Sequence, residues 1–324
     1  MTAKSKQRGF SLVELTVATA LTIGLTGAVF YMFNKNQDSA QVERANTDLQ
    51  QNFRAAMDLV SRDIQAAGAG MPQFLGPLAG QDGGTDSGGN ALPDEILILY
   101  GNPNFPSLVV NGPVASSTTA FVAQTPAGGT APTFTNNNNY VLYAASQAGA
   151  ILADSTDGAE FNVLTLNAQS AVSGGTRLTP KATPSVSPPA WTNVSTFPSS
   201  LTLRVVELDE LIRYRLNTST STLQRSRNGG AWVDVARGIT DLQFQYRIES
   251  VDTTASPATF TLDVVDQPGT GSSNNRALIR SVLMTMTGQT QLSRTGDNLG
   301  QRRISQTVEI TPRNLVLPGF TPNR

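Results

Sequence analysis

An apolar run over residues 10–33, FSLVELTVATALTIGLTGAVFYMF, holds a single charge, Glu14. At about 1.5 Å per residue, a helix of this length spans the hydrocarbon layer of a bilayer with some tilt. It needs lipid or other helices around it. The polar stretch ahead, MTAKSKQRG, carries Lys4, Lys6 and Arg8. That excess of basic residues predicts a cytoplasmic N-terminus, with the rest of the chain across the membrane. The helical pattern continues past 33. Ala45, Leu49, Phe53, Met57, Val60, Ile64 and Ala67 recur every three or four residues, the spacing of one buried helix face. Arg54–Asp58 and Asp58–Arg62 are i,i+4 pairs on another face. No Pro or Gly lies between Tyr31 and Ala67, and Gly68, Gly70 and Pro72 mark the stop. The expectation is one spine of about 55–58 residues, roughly 80–90 Å long. An isolated coiled coil fits less well, because the apolar face is rich in alanine and the heptad is not sustained.

A secretory signal peptide is the plainest competing reading of the N-terminus. Against it stand the length of the run, the carboxylate five residues past Gly9, and the absence of a Pro or Ala-x-Ala exit before the next helical stretch. A plain single-pass anchor leaves Glu14 without a purpose. A carboxylate in an apolar helix costs several kcal/mol by some estimates. Either it stays at the interface or it meets a cation, and the α-amino group of a chain cleaved before Phe10 is the obvious one. Ala20, Gly24 and Ala28 form a small-xxx-small strip that permits close helix packing. Thr16, Thr19, Thr22 and Thr26 need no role beyond bonding back to their own helix.

The composition removes several functions. The 324 residues contain no Cys and no His, with 23 basic and 24 acidic side chains. Disulfide scaffolds, thiolate metal sites and triads that use histidine are excluded. The near-neutral charge gives no reason to expect a nucleic-acid partner, although Arg225, Arg227, Arg276, Arg280, Arg302 and Arg303 would attract DNA if they converged. Glu207 with Asp209 or Glu210 forms acid pairs of a kind common on strands and turns. No phosphate-binding loop is present. The expectation is no enzyme and no cofactor. Asp82 and Asp86 invite a calcium site, but their spacing matches no known loop.

Beyond the spine, residues 71–324 read as a β-rich body. Strands are expected at 95–100, 104–110, 120–122 and 140–144, with one or two more over 151–166. Others are expected at 201–208, 211–216, 223–227, 239–248, 259–265, 277–287 and 306–311. Long loops are expected at about 71–95, 124–139 and 170–200; the second includes four asparagines, Asn136 to Asn139. Asn228-Gly229-Gly230 predicts a turn. Trp191 and Trp232 are candidate aromatic platforms for a ligand, and the plainer reading of each is a partly buried core residue.

The stretch Gly9-Phe10-Ser11-Leu12-Val13-Glu14, followed by an apolar run, resembles the processing and methylation motif of type IV pilins and type II secretion pseudopilins. The spine end at 58–68, the hairpin with its Asn-Gly-Gly turn, the strand from Ile239 to Tyr246 and the Arg313-Asn314-Leu315 ending are similar to minor pilins of the PilW type and to GspJ-like pseudopilins, which share a PulJ-like layout. Many major pilins carry a Pro within the apolar helix, and this chain does not. The resemblance implies an α+β, pilin-like fold: a cleaved leader (1–9), a transmembrane and filament-core helix (10–33), an amphipathic continuation (34–70) and a mainly antiparallel body (71–324). It implies cleavage between Gly9 and Phe10 by a prepilin peptidase, N-methylation of Phe10 and docking through Glu14. The implied function is a minor pilin that initiates or caps a type IV pilus as part of a tip complex. Its partners would be other minor pilins, the major pilin and the inner-membrane assembly platform. It would lie in the inner membrane with a cytoplasmic N-terminus, then at the pilus tip on the cell surface. The alternatives are a pseudopilin at a pseudopilus tip, and a pilus-borne adhesin or ligand-binding module. The sequence leaves open whether the filament serves motility, adhesion, DNA uptake or secretion.

Overall fold

The computed structural model describes residues 11–72, 76–111, 119–145, 153–154, 158–159, 161–181, 202–252, 259–266, 279–290 and 302–313. The leader with Gly9 and Phe10, Trp191 with most of the Pro/Ser/Thr-rich segment, Arg276, Asn314 and Leu315 lie outside the described residues. The elements are α1 (Leu12–Gln65), β1 (Leu78–Gln81), β2 (Glu95–Gly101), β3 (Leu108–Asn111), β4 (Phe121–Gln124), β5 (Asn139–Ala145), β6 (Ala153–Asp154), β7 (Gly158–Ala159), β8 (Phe161–Val172), β9 (Gly175–Pro180), β10 (Thr202–Asn217), β11 (Thr222–Arg227), β12 (Val233–Arg237), β13 (Ile239–Asp252), β14 (Thr259–Val265), β15 (Ile279–Gln289) and β16 (Arg303–Ile310). All pairings among the described residues are antiparallel. One long N-terminal helix followed by such a body is the expected α+β class.

The chain divides into two units, one of residues 1–50 with 290–302 and one of 51–289 with 303–324. In the first, α1 presents its apolar residues outward: Leu12, Leu21, Ile23 and Phe33 are all more than half exposed. The hydroxyls of Thr16, Thr19 and Thr22 donate to the carbonyls of Val13, Leu15 and Ala18 at 2.8, 3.0 and 2.7 Å. Those polar groups are thus satisfied within the helix itself.

In the second unit the remaining turns of α1 enter a core. Phe53, Met57, Val60 and Ile64 lie on one face and are buried with Phe244, Tyr246 and Met284, among others. The last carbonyls of the helix all find donors. Asp63 O accepts from the Tyr100 hydroxyl at 2.7 Å, and Gln65 O from Arg313 N at 2.9 Å. Helix ends leave such carbonyls open unless the fold supplies partners. Gly70, at φ 72, then passes so close to Gly101 that a Cβ on either would meet the other's carbonyl oxygen at 2.3 or 2.4 Å. Only glycine fits at this crossing of two backbones.

β10 belongs to two sheets. Residues 202–207 pair with β5 on one side, and Leu203 to Val205 pair with β3 on the other. The ladder β3–β4–β9–β8–β5 completes the circuit, so six strands close into a small barrel. The second half of β10 pairs with β2 and β11, giving an open sheet in the order β1-β2-β10-β11-β12. A separate sheet runs β14-β13-β15-β16, and β6 pairs with β7. Strand alternation sorts the side chains. Leu203, Val205, Tyr140, Leu142, Leu164 and Leu166 share the barrel's interior cluster, while Val206, Leu208, Val141, Tyr143 and Val163 join Leu97 and Leu99 in another.

Three expectations for the body change. β1 lies within the loop expected at 71–95; its Gly80 is required because a side chain there would strike the Tyr246 ring and hydroxyl. The loop expected at 170–200 begins as a hairpin: β8 and β9 turn at Gly174, φ 84, and residues 167–172 are exposed on both faces and hold only one large apolar side chain, Val172, so no apolar alternation betrays the strand. The strands expected at 201–208 and 211–216 are one strand, β10, with a register shift between Leu208 and Glu210. The acidic run Glu207-Leu208-Asp209-Glu210 hides that continuity.

Candidate functional site

Two regions have the features of functional surfaces. The first is the start of α1. Glu14 sits in the first helical turn, where the free N–H groups and the helix dipole favour a negative charge. Its carboxylate is exposed and has no hydrogen bond or ion pair among the described residues. Ala20, Gly24 and Ala28 are exposed, and no atom lies within 4 Å of a Cβ built on Gly24. This stretch is long and apolar enough to cross a membrane.

The second region is the mouth of the barrel. Along β10 the inward positions run Leu203, Val205, Glu207, so the last inward side chain is a carboxylate. Glu207 is only 6% exposed. Its Oε2 accepts from Asn102 Nδ2 at 2.7 Å; its Oε1 accepts from Asn138 Nδ2 at 2.8 Å and from the Tyr140 hydroxyl at 3.1 Å. Burial pushes the Tyr140 phenol far above its usual range, so it remains a donor. Glu207 has no ion pair among the described residues. A buried charge held by neutral donors alone is an expensive arrangement.

The asparagines around Glu207 are there because the barrel ends there. β10 changes partners after Glu207, so backbone groups leave the regular ladder. Asn102 N donates to Glu207 O at 2.9 Å and Asn228 N to Leu211 O at 2.7 Å, while Asn228 Oδ1 accepts from Leu211 N at 2.8 Å. Asn137 and Asn228 hold φ of 70° and 51°, a region asparagine tolerates better than most residues. Asp209 occupies the bulge and is exposed. Bulges re-aim side chains in this way. Asn102, Asn137, Asn138, Asn228, Glu207 and Asp209, with Thr135, Asn139 and Leu208, line a half-open pocket of about 340 Å³.

The other sequence candidates are placed elsewhere. Arg213 and Arg215 lie over the Trp232 ring at 5.2 and 4.0 Å from its centroid, so the chain's own cations cover that platform. Arg225 pairs with Asp63 and, at 3.9 Å, with Glu210, which also pairs with Arg227; Arg280 pairs with Glu249, so each of the three has a carboxylate partner within the chain. Asp82 Oδ1 accepts from Gly84 N, and Asp86 from Gly88 N and Asn90, so turn hydrogens occupy both carboxylates. Among the described residues no three acidic side chains gather where they would hold a metal ion. The barrel mouth was not anticipated. Its available signal was Glu207 in phase with Leu203 and Val205, a carboxylate on the inward register of an otherwise apolar strand.

Comparison with protein-family models, with curated proteins and with solved structures gives no match for this chain.

Proposed function

We propose that this chain is a pilin-like filament subunit of the minor class, one that starts or caps a type IV pilus within a tip complex. The observation that carries the reading is the two-fold use of one unbroken helix. Residues 12–33 of α1 present apolar side chains outward, while Phe53, Val60 and Ile64 are core residues of the body. A surface of that kind is stable in lipid before assembly and among other such helices afterwards. The leader is removed between Gly9 and Phe10 by a prepilin peptidase, and Phe10 is N-methylated. Glu14 is then matched by the methylated amine, which keeps its positive charge, in this or a neighbouring subunit. The strip of Ala20, Gly24 and Ala28 lets neighbouring helices approach. The chain sits first in the inner membrane with its N-terminus cytoplasmic, and later at the filament tip. There it contacts other minor pilins, the major pilin and the assembly platform.

The size of the body supports a minor role, since about 250 residues with long connections are hard to repeat at the density of a narrow helical shaft. Quantifying subunits in purified filaments tests this. The reading predicts a small fraction of the principal subunit. An amount equal to it, or no recovery with any surface filament, contradicts it.

A further inference from the structure

We propose that the mouth of the six-stranded barrel binds a neutral, hydroxyl-rich ligand, a single sugar residue of a glycan. The inference does not rest on the filament reading. Barrel mouths are among the usual places for ligand sites, but most such sites are apolar. Here the lining contains one apolar side chain, Leu208, and neither Lys nor Arg. An apolar ligand gains no surface to bury on, and an anion meets Glu207 and Asp209 uncompensated.

The choice between a cation and a hydroxylated ligand follows from the amide orientations. A cation needs acceptors only. Asn102 and Asn138 instead turn their N–H groups onto Glu207, so three donors already share its charge. Asn228 commits its Oδ1 to Leu211 N, which leaves its Nδ2 as a donor without a partner among the described residues. Asp209 is an acceptor without one. A carboxylate also has about four lone-pair positions, of which Glu207 uses three. The pocket thus presents donors and acceptors side by side. A vicinal diol, which gives one hydrogen and accepts another at each oxygen, is the matching chemistry. At about 30 Å³ per water, the 340 Å³ corresponds to roughly eleven waters, room for one sugar ring with some solvent.

The test uses the full chain in a detergent without a sugar headgroup. Free glucose, galactose, mannose and N-acetylglucosamine are titrated separately by calorimetry, with calcium chloride alone as a further arm. The expected result is saturable binding of at least one sugar without calcium. Asp209→Asn should weaken it about ten-fold, since the acceptor loses the charge that strengthens its hydrogen bond and one of its two oxygens becomes a donor. Asp209 is exposed at a bulge, so this change leaves the core intact. Asn137→Gly, which keeps the left-handed backbone, should weaken it too. Binding of calcium alone with none of a sugar, no saturable signal up to about 10 mM, or unchanged affinity in Asp209→Asn each overturns the proposal.

Discussion

The hydroxyl of Tyr214, on β10, donates to Asp63 Oδ2, on α1, at 2.6 Å, and the Arg225 guanidinium lies 2.9 Å from the same oxygen. One carboxylate near the end of the helix thus ties it to two strands of the open sheet. The side chains of Asp63 and Arg225 are 13% and 20% exposed. Removing the carboxylate leaves a poorly solvated guanidinium whose next acidic neighbour, Glu210, is 3.9 Å away. Asp63→Ala should cost about 3 kcal/mol of body stability, and Tyr214→Phe about 2 kcal/mol. Denaturant titration of the full chain in detergent measures both. Losses near zero would show that shape alone holds the helix to the sheet.

Asp94 gives the body an unusual pH dependence. Its Oδ2 accepts from Phe244 N at 2.7 Å and its Oδ1 from Gly83 N at 2.9 Å, with the residue only 3% exposed. Burial, partly opposed by those two hydrogen bonds, pushes its carboxyl up to about 6. Between about pH 4 and 6 the folded state therefore holds more protons at this site than the unfolded one. The contribution of Asp94 is most favourable below pH 4 and declines as pH rises to 6, by up to about 3 kcal/mol. Asp94→Asn removes that slope. The stability difference between the parent and this variant should fall as pH rises from 4 to 7; a difference constant with pH would refute the assignment.

Glu14 is expected to act in assembly and not in membrane insertion. Its carboxylate has no partner among the described residues and sits in an otherwise apolar stretch. If, as proposed, the helix leaves lipid for a bundle, that charge enters a poorer solvent and must be matched. Glu14→Gln should insert normally and co-purify less with the other minor subunits in detergent. Equal recovery of the complex, with normal filament numbers, would make Glu14 an interface residue only.

The parts of the fold that follow from periodicity were legible. Phe53, Met57, Val60 and Ile64 repeat at helical spacing and are buried together, and Gly68 and Gly70 end the helix at positive φ. Leu242, Phe244 and Tyr246 alternate and are all buried. What stayed hidden depended on long-range pairing. Nothing local says that β10 pairs with β5 and β3 at one end and with β2 and β11 at the other, yet that exchange closes the barrel and creates its mouth. Asn137 to Asn139 read as part of a polar loop because the residues that line the pocket with them, Glu207 and Asn102, are far away in sequence. The start of α1 was legible in pattern only, as an apolar run with one carboxylate.

The most direct test of the central claim is mass spectrometry of the N-terminus of the chain recovered from sheared surface filaments. The account predicts a chain that begins at Phe10 with one methyl group on its α-amine. A chain that retains Met1, or one cut beyond the apolar run as a signal peptide is, would contradict it.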